Sequence, residues 1–108
     1  MRFFNKLPDM ECLSGDTLPA FHVQVEGTDM SGCSMELILA NSHSPDIAAL
    51  TKKCTAEKGG FVVQLTSEDT SPLIEDTYIM HFRLIKNGLS LRKLAGELYV
   101  HSVPGGDM

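Results

Sequence analysis

Two alternating runs set the first expectation for this chain. In residues 20–26, AFHVQVE, the apolar Phe21, Val23 and Val25 fall on one side of an extended backbone and His22, Gln24 and Glu26 on the other. That two-residue period belongs to a half-buried strand. Residues 33–40, CSMELILA, repeat it: Met35, Leu37 and Leu39 oppose Ser34, Glu36 and Ala40, with Ile38 breaking the polar side. The intervening GTDMSG is rich in turn formers and suits a short connection between antiparallel neighbours. Further on, GGFVVQL turns Phe61, Val63 and Leu65 inward, and YIMHFRLIK turns Tyr78, Met80, Phe82 and Leu84 inward with His81 and Arg83 outward. Asn87-Gly88 then supplies the pair that favours positive φ in a tight hairpin turn. The last run, LRKLAGELYVHSV, sets Leu94, Leu98 and Val100 against Glu97, Tyr99 and His101, with Gly96 on the inward side as a bulge or close-approach site.

Two stretches between these runs are less regular. In SPDIAALTKKCTAEKGG periodicity alone slightly favours a helix capped by Ser44, with Pro45 in its first turn and Ile47, Leu50, Thr51 and Cys54 on one face, but sheet partners on either side favour a short edge strand around 48–54 closed by the EKGG turn. TSEDTSPLIEDTY contains Pro72 and a cluster of acids that exclude a strand. Asp69 lies three residues after Thr66, as in a capping box, so a single helical turn near 67–74 is expected, with Leu73 and Ile74 dropping onto the end of the core. Such a turn would carry the chain from one sheet to another.

Short strands at intervals of about 8–15 residues with one brief helical turn define an all-β expectation: an immunoglobulin-like β-sandwich of about seven antiparallel strands. The 108 residues suit a single domain, with an ordered core at about 10–102 and a frayed tail at 103–108. Its expected core is Phe21, Val23, Val25, Leu37, Leu39, Phe61, Val63, Leu65, Tyr78, Met80, Phe82, Leu84, Leu98 and Val100. The formal charge of −5, with lysines and arginines interleaved among acids, argues against nucleic acid as a partner. No run approaches the roughly 20 apolar residues of a membrane span. The N-terminal MRFFNKLPDMECL lacks the apolar stretch of a signal peptide, so the product is expected to stay where it is made. Three widely separated cysteines, Cys12, Cys33 and Cys54, read as free thiols.

Candidate chemistry is sparse. His22, His81 and His101 fall on outward strand faces and His43 in a loop, but no ligand spacing draws them onto a metal. Cys33 has no exposing elbow around it, and Glu68, Asp69, Glu75 and Asp76 lack the alternation of a calcium loop. The expectation is therefore no catalytic, cofactor or metal residues and no enzyme activity. The strand assignments leave Ile38, Val62, Ile79, Ile85 and Tyr99 on outward faces, where they form the candidate interaction surface. A carbohydrate- or small-ligand-binding sandwich is the alternative, although no tryptophan and only two tyrosines supply aromatic platforms.

Taken together, GDTLPAFHVQVEG, GCSMELILA, GGFVVQLTSEDTSPL, DTYIMHFRLIKNG and LAGELYV resemble small immunoglobulin-like domains of bacteriophage and prophage structural proteins, such as the N-terminal domain of baseplate upper proteins. The likeness spans most of residues 14–101, and Asp76 stands where that pattern has glycine. The resemblance implies an edge strand at 48–54. It also implies a non-enzymatic assembly module of a tail, baseplate or neck, a homo-oligomer or a partner of other phage structural proteins, located in the host cytoplasm or the virion. No cofactor, nucleic acid or membrane is implied.

Overall fold

The computed structural model describes residues 2–3, 9–26 and 32–102. Its strands are β1 (Arg2–Phe3), β2 (Met10–Leu13), β3 (Phe21–Glu26), β4 (Cys33–Asn41), β5 (Ala48–Lys53), β6 (Thr55–Glu57), β7 (Gly60–Val63), β8 (Asp76–Lys86) and β9 (Leu89–His101), with the short helix α1 (Ser67–Thr70) between β7 and β8. They form two sheets, one in the order β1-β3-β7-β6 and the other β2-β9-β8-β4-β5. The protein is thus mostly β, in two layers.

Period-2 alternation explains which side of each sheet faces inward. All fourteen residues expected in the core are buried, from Leu37, Leu39, Leu65, Met80, Leu98 and Val100 with no exposed surface to Val25 at 6%. Cys12, Leu18, Met35 and Leu73 complete the same cluster. Residues 48–53 are a strand, antiparallel to β4. Helical spacing loses here because an extended chain satisfies the open edge of β4, and Leu50 still packs against the core.

Ile74, expected to drop onto the end of the core with Leu73, is instead 66% exposed, and only Leu73 is buried. Three further expectations need correction. GTDMSG does not join neighbours within one sheet: β3 pairs with β1 and β7, whereas β4 pairs with β8 and β5 in the other layer. The strands are not all antiparallel, because β2 runs parallel to β9 with Met10 opposite Leu98 and Leu13 opposite His101. The bulge near Gly96 falls beside it: Met80 faces Gly96 and His81 faces Leu94, so Ala95 is the extra residue. The inward side chain expected of Leu94, and the tail 103–108, lie outside the described residues.

The chain changes sheet between β5 and β6. β5 ends at Lys53, Cys54 donates its amide to the Met35 carbonyl at 2.8 Å, and β6 then joins the other sheet through β7. β1 and β2 divide between the layers in the same way. The approach of β7 to β3 is so close that a Cβ on Gly60 would lie 1.9 Å from the Val23 carbonyl oxygen, which is why glycine opens that strand.

Candidate functional site

The polar motifs resolve first into structure. Thr66 and Asp69 form the capping box of α1, the Thr66 amide donating to Asp69 Oδ2 at 2.8 Å. Thr70, with no exposed surface, donates its hydroxyl to the Asp16 carbonyl at 2.7 Å and accepts from the Gly15 amide at 3.0 Å. Ser14 Oγ donates to the Ser71 carbonyl at 3.1 Å, and the Ser67 amide to Thr17 Oγ1 at 3.0 Å. The turn at 14–17 and the helix at 67–70 are therefore two halves of one clamp at one end of the sandwich. Lys52 ties the edge strand into it by donating to the Gln64 carbonyl at 2.7 Å and to the Asp69 carboxylate. Burial pushes the Asp69 carboxyl up, but hydrogen bonds from Lys52 and Thr66 outweigh it and hold the pKa below its ordinary value.

Asp76 opens β8 and accepts from Asn41 Nδ2 at 2.9 Å and from the Thr77 amide at 2.8 Å; chiefly the Asn41 bond lowers its pKa. Among the described residues only Asn87 has positive φ without being glycine, so nothing in the backbone at 76 requires glycine. The histidines are dispersed. His22 Nδ1 lies 2.9 Å from Glu57, His43 Nε2 3.5 Å from Asp76 and His101 Nε2 3.0 Å from Glu11. His81 instead meets Arg92 at 3.1 Å. No three potential metal ligands come together among the described residues. All three cysteines are free thiols; burial raises the pKa of Cys12, and burial with Glu36 pushes Cys54 up to about 12.

The five residues of the candidate interaction surface divide between the layers. Val62 is half-buried on β7, opposite His22 and Thr55. Ile38, Ile79, Ile85 and Tyr99 belong to the five-stranded sheet. There Ile79 and Ile85 are half-buried and Tyr99 is 36% exposed, its ring 4.5 Å from that of His101. Ile38 was expected to be exposed but is 7% exposed: its direction is outward, yet it lines a recess whose wall is the loop containing Pro45 and Asp46.

Two surface features carry more than those five. At the end opposite the clamp, the β8–β9 hairpin holds Leu89 at 73% and Leu91 at 46% exposure around an apolar hollow of about 210 Å³ that includes Leu84. β9 begins at Leu89, so the two-residue period runs through Leu89 and Leu91, ahead of the run expected from residue 91. The second is the recess on the outer face of the five-stranded sheet, about 250 Å³, floored by Ile38 and Ala40 and rimmed by His81, Arg83 and Arg92. Arg83 pairs with the Glu36 carboxylate, while its Nε is buried without a hydrogen-bond partner. Tertiary pairing made this site, since β4, β8 and β9 each contribute one part. Among the described residues no helix is long and apolar enough to cross a membrane. Comparison with protein families, curated proteins and solved structures yields no match for the chain.

Proposed function

We propose that this chain is a small immunoglobulin-like sandwich acting as a non-enzymatic assembly module of a phage or prophage particle, through contacts with its own copies and with neighbouring structural proteins. Strand order supports the immunoglobulin-like reading: β1-β3-β7-β6 take the places of the first layer of such domains, and β9-β8-β4 those of the second, with β5 added at the edge. So does Tyr78 at the start of β8, whose hydroxyl donates to the Ile74 carbonyl at 2.9 Å in the manner of a tyrosine corner. Met80 stands two residues later, where antibody domains carry a cysteine. The two most polar motifs of the phage resemblance, around GDT and TSEDT, are the halves of the clamp.

The observation that carries the assembly role is the leucine pair on the hairpin. Large apolar side chains exposed around an apolar hollow leave unfavourable hydration that a protein partner relieves. Sedimentation velocity at micromolar concentration is expected to show an oligomer, converted to monomer by a Leu89→Ser/Leu91→Ser double variant that keeps its far-ultraviolet dichroism. A monomeric wild type that also retains no tail, baseplate or neck protein in pull-downs would refute the role.

A further inference from the structure

We propose that the recess on the outer face of the five-stranded sheet is a docking site for a carboxylate side chain of an acidic peptide segment in a partner protein. The proposal deepens the assembly reading, on which it rests, by naming what the partner must present.

Charge pairing in the recess is incomplete. Arg83 is matched by Glu36, but Arg92 is exposed and has no carboxylate partner among the described residues, only the His81 ring at 3.1 Å. In that contact a guanidinium N–H donates, so His81 Nε2 accepts and the ring is neutral. Burial first, then the charges of Arg92 and Arg83, lower the His81 pKa and favour that neutral form. Both arginines therefore bear on the ring, and Asp46 also lines the recess. Beneath these groups lie Ile38 and Ala40, only 7% and 3% exposed, beside Pro45 and Ala48. A planar fork of N–H donors above an aliphatic floor suits a carboxylate on a short apolar stem, as in a glutamate flanked by leucines, because the guanidinium meets both carboxylate oxygens at once.

The test is an NMR titration with acetyl-Leu-Glu-Leu-amide, following the Nε–H signals of Arg83 and Arg92 and the amides of Ala40 and Ala48. The glutamate peptide is expected to shift them saturably, and acetyl-Leu-Gln-Leu-amide to bind at least tenfold more weakly. Arg92→Gln is expected to weaken the glutamate peptide at least tenfold, whereas Lys58→Gln, which removes a positive charge from the exposed β6–β7 turn, leaves it within twofold. Equal binding of the two peptides, an unchanged Kd in Arg92→Gln, or equal saturation by inorganic phosphate would each overturn the proposal. If Arg92→Gln loses its native dichroism, Arg92→Lys replaces it, and the expected loss is again at least tenfold because the fork is gone. Sedimentation of the hairpin variant reports on self-association separately, so an oligomer that ignores the peptide refutes the recess alone.

Discussion

Replacing Thr70 by valine removes a hydroxyl while keeping the shape of the side chain. In the folded protein that hydroxyl sits at a position closed to water, donating to Asp16 at 2.7 Å and accepting from Gly15 at 3.0 Å. Thr70→Val leaves a backbone carbonyl and a backbone amide facing a methyl group. A deprived buried polar group costs about 1–3 kcal/mol, so two deprived groups with partial relaxation of the 14–17 turn imply about 2–4 kcal/mol. That is a large share of the roughly 5–15 kcal/mol that stabilises a domain of this size. Thr70→Ser keeps both bonds and loses one buried methyl, at about 1 kcal/mol. Urea unfolding followed by far-ultraviolet dichroism measures both, and the slope against urea is expected to match wild type, so the midpoint carries the change. A Thr70→Val midpoint within about 0.5 kcal/mol of wild type, or equal losses for valine and serine, would refute the clamp as a source of stability.

Other outcomes follow from the same structure. Gly60→Ala forces a Cβ to 1.9 Å from the Val23 carbonyl oxygen, so β7 must move off β3; the loss is expected to exceed about 3 kcal/mol and is read by the same unfolding assay. Because the Asp69 pKa is lowered in the folded state, its contribution is present above the unfolded carboxylate pKa and is lost as pH falls through the folded one. Stability below about pH 4 is therefore expected to decline less steeply in Asp69→Asn than in wild type, as thermal melts across pH will show. Cys54, with its pKa pushed from 9.0 to about 12, holds about a thousandfold less thiolate than an ordinary cysteine near pH 8 and is expected to resist iodoacetamide in the native state, checked by mass spectrometry.

Local alternation made most of the core legible. Phe21, Val23 and Val25, or Tyr78, Met80, Phe82 and Leu84, declare their face within a single strand, because successive side chains must point to opposite sides. Layer assignment was not legible in the same way. Nothing in GTDMSG distinguishes a hairpin from a crossing between sheets, since turn formers serve both. Residues 10–13 and 55–57 were too short to show a period, and only pairing with β9 and β7 reveals them as strands. The capping box could be read from Thr66 and Asp69, but not that Thr70 reaches Gly15 and Asp16, more than fifty positions away. The recess was opaque for a related reason: Glu36, His81, Arg83 and Arg92 meet only through the registers of β4, β8 and β9. Alternation gives the outward direction of Ile38 but not its burial, which comes from the loop containing Pro45 and Asp46.

The parallel pairing of β2 with β9 has a mechanical consequence. With the two strands running the same way, the chain enters β2 at one end of their shared ladder and leaves β9 at the other, so tension between those points slides one strand along its neighbour. The rungs joining Met10–Leu13 to Leu98–His101 then share the load together instead of opening in succession. Stretching single molecules from residues 9 and 102 should give higher rupture forces than pulling from 76 and 101, where the antiparallel β8–β9 pair is peeled open from one end.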